Sequence, residues 1–331
     1  MKPRVVVTHW IHDEVADYLG SSCELLLNQT RLTLPRGVIT ERTEGAHAIM
    51  VFMPDSLDDE FLSACPNLKV VAAALKGYDN FDVDACTRRG IWFTIVHDLL
   101  TVPTAELAIG LLLGLTRRMP EGDRLVRTGQ FAGWRPQLYG TGLSGAICGI
   151  IGLGAVGKAL ARRLKGFDVN VLYSDIVPLP SSEEEEIGVR KVSLEELLRN
   201  SDFVFPLVPL RRSTFYLINR KTLLLMKRGA FLINVCRGSV VNEEDVADAL
   251  QCGQIAGYAA DVFEMEDWAR TDRPSAISPY LIRNMENTFF TPHLGSAVDS
   301  VRREIAMEAA RNIIQGLNGE VPMGAVNRPV S

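Results

Sequence analysis

Along the first hundred residues, short runs of β-branched and other apolar residues alternate with stretches whose apolar positions recur at three- and four-residue spacing. The runs at 5–8, 24–27, 48–53, 69–75 and 91–96 predict strands, and 13–19 and 58–65 predict helices. A second alternating set starts at residue 146. Its strands are predicted at 146–151, 170–173, 203–207, 231–235, 256–260 and 288–290, and its helices at 155–165, 194–200, 220–226 and 243–251. One more helix is predicted over 296–316. Alternation of this kind predicts parallel sheets covered by helices, hence an α/β protein. Between the two sets, 103–118 reads as a helix that is apolar on most sides and basic in its last turn, expected to be buried between domains or subunits. The acidic run 183–186 reads as a solvated loop or the start of a helix.

At 331 residues the chain is long enough for two cores. A net charge of −5 excludes a general nucleic-acid binder, so any anion site must be a local cluster of cations. Six scattered cysteines with no Cys-x-x-Cys pair imply reduced thiols and a cytoplasmic location. The longest apolar window, 107–115, is bounded by Glu106 and Arg117 and is too short to span a bilayer, and the N-terminus lacks the apolar run of a signal peptide. No membrane partner is expected. The five histidines show no spacing with Cys or acidic residues that suggests a metal site.

The first candidate chemistry is Gly152-x-Gly154-x-x-Gly157. It follows a predicted strand, opens a predicted helix, and is followed by a second strand ending at Asp175, which is the context of a dinucleotide-binding turn. Glycines permit the tight turn and the approach of a pyrophosphate, and the helix N-terminus supplies amide donors. Asp175 is placed to accept from ribose hydroxyls and to repel a 2′-phosphate. Ile176 and Val177 supply no neutralising cation, so NAD is expected over NADP.

Three further stretches fall just past predicted strands, where α/β sheets place ligands. Arg237 follows Ile233-Asn234-Val235-Cys236; Asp261, Glu264 and Glu266 follow another strand; His293 follows Thr291-Pro292. Arginine, glutamate and histidine in such places supply an anion clamp, an orienting carboxylate and a general base. Each taken alone has a plain structural reading. Together, within one dinucleotide-binding domain, they point to catalysis.

With these residues in view, the chain resembles the D-isomer-specific 2-hydroxyacid dehydrogenases over essentially its whole length. The resemblance is carried by Asp79-Asn80, Thr104-Ala105-Glu106, the glycine fingerprint, Asn234-x-x-Arg237-Gly238, Asp261-Val262-Phe263 with Glu266, and Thr291-Pro292-His293. It implies two doubly wound parallel-sheet domains: a Rossmann NAD-binding domain at 100–292, inserted into a discontinuous, flavodoxin-like substrate domain at 1–99 and 293–331. It also implies a homodimer, with the 103–118 helix and the segment through Tyr139 at the contact. Arg237, Glu266 and His293 are then the catalytic residues. Thr104, Gly152, Leu153, Gly154, Ala155, Val156, Gly157, Asp175, Val208, Pro209, Val235, Cys236, Asp261 and Gly295 are then cofactor-binding.

Within the family, the stretch Ala74 to Cys86, that from Asp98 to Leu111, Asp261 to Arg270, and Gly133-Trp134 through Tyr139 to Leu143 are most similar to members that oxidise phosphite. Asp175 and Ile176 stand where those members carry Glu and Ala, a change that sharpens the NAD preference. The likeness makes phosphite the expected substrate, bound by Lys76, Gly77, Met53, Leu100, Trp134, Tyr139, Arg237 and Arg302. Met53 has a core reading as well. Lys76, at the end of an apolar run where most of the family has a small residue, would add a second cation for an anion carrying up to two charges. The rivals are a 2-hydroxyacid dehydrogenase of the glyoxylate or hydroxypyruvate reductase type and a non-catalytic NAD sensor resembling the corepressors built on this fold.

Overall fold

The structure, a computed structural model, describes residues 2–329. The chain divides into two compact units. The smaller comprises the chain through Leu100, Trp268–Thr271, and the chain from Ser296 onward; the larger comprises Thr101–Asp267 and Asp272–Gly295.

In the smaller unit, strands β1 (Arg4–Val7), β2 (Glu24–Leu27), β3 (Ala48–Val51), β4 (Val70–Ala73) and β5 (Trp92–Thr94) form a five-stranded sheet in the order β2-β1-β3-β4-β5. Every pairing is parallel. The order reverses between β1 and β3, as in a flavodoxin-like sheet. Period-two alternation sends side chains to opposite faces. Val6, Ile49 and Val71 join one core cluster, while Val5, Val7, Met50 and Val70 join another. Helix Asp299–Leu317 covers that second face with Ile305, Ala309 and Ile313. Its Gly316 lies so close to the sheet that a Cβ there would stand 2.5 Å from Val70. The last helix of the chain thus belongs to the first sheet.

In the larger unit, β6 (Ile147–Ile151), β7 (Asn170–Ser174), β8 (Val189–Lys191), β9 (Phe203–Pro206), β10 (Ala230–Asn234), β11 (Ile255–Ala260) and β12 (Thr288–Phe290) form a second parallel sheet, in the order β12-β11-β10-β9-β6-β7-β8. The reversal lies between β6 and β9. This is the doubly wound order of a dinucleotide-binding fold. Cys148, Ile150, Phe203, Phe205 and Ile233 fill one face, and Val204, Leu232 and Ala260 the other.

Helix Thr101–Thr116, expected between domains or subunits, buries Ala105, Ala108, Leu111, Leu112 and Leu115 in the core of its own unit. Gly114 allows that packing, since a Cβ there would meet Phe289 at 2.2 Å. Of the two readings of the acidic run, the helix start is the one found: Glu183 and Glu184 occupy the first turn of helix Ser181–Ile187 and complement its dipole. Strand β8 escaped notice because it is a short edge strand in which two of three residues, Arg190 and Lys191, are exposed. Among the described residues, no helix is long and apolar enough to cross a membrane.

Candidate active site

The turn after β6 explains each glycine of the fingerprint separately. Gly152 sits at φ +94°, and a Cβ there would stand 2.6 Å from the Leu207 carbonyl oxygen. A Cβ on Gly157 would stand 2.5 Å from the Gly152 carbonyl oxygen. Those two are required by the fold. Gly154, which caps helix Ala155–Leu164, is different: a Cβ there would meet nothing within 4 Å. The protein's own packing does not require a glycine there, and the open space beside it is bordered by the first-turn amides of Ala155, Val156 and Gly157, which have no intrahelical partner and can receive an anion.

At the end of β7, Asp175 accepts hydrogen bonds from the Leu153 amide (2.6 Å) and the Val177 amide (3.0 Å). The carboxylate is thereby fixed against the glycine turn. The next side chain, Ile176, is 92% exposed and uncharged, so no cation follows to receive a 2′-phosphate. Val208, which with Pro209 follows β9, lines the same turn, its Cγ1 2.8 Å from where a Cβ on Gly152 would lie. These residues fit an NAD pyrophosphate and ribose.

Past β10, the buried Asn234 side chain accepts from the Cys236 amide (3.1 Å) and donates to the Arg237 carbonyl (3.0 Å), which fixes the bend that carries Arg237. Val235 is buried beside it, and burial pushes the Cys236 thiol up to about 11, so it stays protonated at neutral pH. Arg237 donates through Nη1 to the Cys236 carbonyl at 2.9 Å. Gly238 allows the next segment to approach: a Cβ there would lie 2.0 Å from the Phe263 carbonyl carbon.

His293 lies past β12 in the left-handed region, at φ +57°. Its amide donates to the Asp261 carbonyl at 2.9 Å. The buried Asp261 carboxylate accepts from Thr291 Oγ1 (2.5 Å), the Leu294 amide (2.6 Å) and the Gly295 amide (2.8 Å). Burial raises this carboxyl above its ordinary range, against the lowering effect of those donors. One aspartate thus holds both sides of the loop in a backbone conformation that histidine adopts rarely. Thr104 closes the same corner, donating to the Gly295 carbonyl at 3.4 Å. The imidazole is set by Glu266, whose Oε2 lies 2.6 Å from His293 Nδ1 while Oε1 accepts from the Phe263 amide at 3.0 Å. A carboxylate at Nδ1 assigns the proton to that nitrogen and leaves Nε2 with a lone pair.

The short helix bearing Glu266 rests on a network that the sequence reading missed. The Glu264 carboxylate accepts from the Glu243 amide (2.9 Å), the Glu243 carboxylate accepts from the Glu264 amide (2.7 Å), and Tyr216 donates to Glu264. Asp267 accepts from the Ser239 amide and hydroxyl. Nothing along the chain pairs positions 243 and 264; only the fold does. Burial first, then the nearby Glu264 charge, pushes the Glu243 carboxyl up to about 7. A folded-state value above the unfolded one means stability that is complete at acid pH and lost as pH rises through about 7. Glu243→Gln keeps the acceptor and removes the titration. Most of that loss falls between the unfolded value and pH 6, so urea unfolding at pH 6 and 8.5 should show the parent losing about 1.4 kcal/mol relative to the variant. Parallel pH profiles would disprove this coupling.

In the smaller unit, Lys76 lies past β4, 40% exposed, and among the described residues its ion-pair partner is the exposed Asp98 carboxylate at 4.0 Å. At that separation and exposure the pair restrains the lysine little. Gly77 follows it. Met53 is partly buried against the core, its carbonyl accepting from Asn80 Nδ2 at 2.9 Å, so the core reading accounts for much of its packing. Leu100 packs on the opposite face of that sheet. Arg302 is partly buried on helix Asp299–Leu317. Its guanidinium lies 5.8 Å over the Phe52 ring and 3.4 Å from Ser296 Oγ, and no carboxylate among the described residues pairs with it. Burial lowers its pKa. Trp134 and Tyr139, expected at the substrate, are 83% and 73% exposed on a segment without helix or strand; among the described residues they make no hydrogen bond to Arg237, Glu266 or His293.

Residues 109–295 match the family model described as D-isomer specific 2-hydroxyacid dehydrogenase, NAD binding domain. The chain is 38% identical over 335 residues to a protein of Thermococcus litoralis named glyoxylate reductase, covering 100% of this chain and 98% of that one. Among solved structures, a protein from Thermus thermophilus superposes with a TM-score of 0.88 at 34% identity, covering 98% and 100% of the two chains. An NADPH-dependent glyoxylate/hydroxypyruvate reductase from Sinorhizobium meliloti, in complex with NADP and malonate, superposes at 0.85 with 29% identity and full coverage of both. The glycine turn, the histidine held by a carboxylate, and likeness over whole chains agree: the protein is an NAD-dependent oxidoreductase and belongs to the D-isomer-specific 2-hydroxyacid dehydrogenase family.

Proposed function

We propose that within this family the chain oxidises phosphite to phosphate. The observation that carries this reading is the pair of cations in the smaller unit. Arg302 is partly buried with no carboxylate partner among the described residues, and Lys76 has only a marginal one. A partly desolvated guanidinium without a counterion is costly unless an anion supplies the charge. One arginine suits a monocarboxylate; a further pair of cations, Lys76 and Arg302, suits an oxyanion that carries up to two charges near neutral pH.

NAD⁺, when bound, supplies the hydride acceptor. The remaining roles fall to the chain. Arg237, Lys76 and Arg302 bind and orient the anion. His293 Nε2 takes a proton from the attacking water as a P–O bond forms and the P–H bond breaks with its electron pair. Glu266 steadies the resulting imidazolium through Nδ1, as its 2.6 Å separation allows. Charge and atoms balance: phosphite, water and NAD⁺ give phosphate, NADH and a proton.

A second reading, reduction of glyoxylate or a similar 2-oxo acid, is supported by the names of the curated relatives. It uses the same arginine, glutamate and histidine. Absorbance of NADH at neutral pH separates the two. NADH formed from NAD⁺ with phosphite, but not with D-2-hydroxy acids, supports phosphite oxidation. NADH consumed by glyoxylate with no response to phosphite overturns it, and silence with all substrates favours a sensor. In the first outcome, Lys76→Ala raises KM for phosphite about tenfold, the worth of one charge-assisted hydrogen bond, and leaves KM for NAD⁺ unchanged.

A further inference from the structure

The segment His9-Trp10-Ile11-His12 takes no part in the chemistry above, yet it lies at the reversal point of the smaller sheet. His9 follows β1, and Phe52 to Asp55 follow β3, the two strands between which the order turns. Parallel sheets bind ligands at that point. Two buried polar atoms meet there without a hydrogen-bond partner, His9 Nε2 and Asp55 Oδ1. They stand 3.7 Å apart, an ion-pair separation too long for a direct hydrogen bond. The other Asp55 oxygen is committed, accepting from Thr8 Oγ1 (2.5 Å) and the Phe52 amide (2.7 Å).

Asp55 therefore holds the Phe52 backbone, and the His9 ring packs edge-on to the Phe52 ring, 5.4 Å between centroids at 60°. Phe52 in turn carries the Arg302 guanidinium at 5.8 Å, within the range of a cation–π contact. The same segment reaches the arginine's own helix. His12 Nε2 lies 3.1 Å from Asp299 Oδ1, three residues before Arg302. Resting on the reading of Arg302 as a substrate cation, we propose that His9 is a positioning residue: paired with Asp55, it fixes Phe52 as the platform that aims the Arg302 guanidinium. Arg302 has one long hydrogen bond to Ser296 to direct it otherwise, so the platform decides where its charge points.

The test is a double-mutant cycle on the full-length enzyme, with phosphite as the varied anion, or glyoxylate if that is the one turned over. His9→Gln is expected to raise KM for the anion about five- to tenfold, the worth of one aligned cation–π contact, with kcat within about twofold and KM for NAD⁺ unchanged. Phe52→Leu, which keeps apolar volume, should do the same by a second route. In an Arg302→Ala background either substitution should add less than about twofold. An undiminished effect in that background overturns the positioning role while leaving Arg302 as a substrate cation. No effect of Arg302→Ala alone removes the reading on which the proposal rests, and the proposal with it.

Discussion

His293→Ala lowers kcat by about two to four orders of magnitude, the usual contribution of a general base. The expectation comes from geometry as well as residue type. Glu266 fixes Nδ1 at 2.6 Å, so Nε2 is the nitrogen with a free lone pair. Alanine also loses backbone tolerance, because position 293 sits at φ +57°. His293→Asn controls for that, since asparagine adopts the left-handed region readily and cannot act as a base. Both variants should lose turnover alike, and the asparagine variant should keep the parent melting temperature. Near-normal single-turnover hydride transfer in either would take His293 out of the proton-transfer role.

The second large effect falls on the fingerprint, where the three glycines separate. Gly154→Val should lower the melting temperature by no more than about 4 °C, the cost of a poorer helix cap, since a Cβ there meets nothing within 4 Å. It should nevertheless raise the NAD⁺ dissociation constant at least about a hundredfold, because the side chain enters the space needed by a pyrophosphate. Gly152→Val should do the opposite first and unfold the domain at lower temperature: φ is +94° and the Leu207 carbonyl lies 2.6 Å from the new Cβ. Calorimetric titration with NAD⁺ alongside thermal melts distinguishes the two. Equal losses of stability at both positions would mean that the middle glycine also serves packing, and the cradle would then lack its main support.

Some of this was readable before any coordinates. The strands at 48–51, 70–73, 147–151 and 203–206 lie within predicted runs because fully buried parallel strands are apolar on both faces, a strong and local signal. The glycine turn and Asp175 were readable for a similar reason: the geometry that needs them is completed within one strand–turn–helix–strand unit. Helix Thr101–Thr116 shows the limit. Its apolar content announced burial, but the partner, its own unit's sheet approached closely at Gly114, depended on contacts with Phe289, far along the chain.

Residue order alone determined which chemistry was available: a histidine, a carboxylate and an arginine past successive strands, with a dinucleotide turn before them. That follows because strand ends are set by short-range apolar patterning. Tertiary structure alone decided which groups meet and how they are held. Asp261 gathers Thr291, Leu294 and Gly295 and so fixes His293 in a strained conformation. Glu243 meets Glu264 across 21 residues, and His9 meets Asp55 across 46. Such pairings come from the order in which strands enter a sheet, and no local pattern encodes that order.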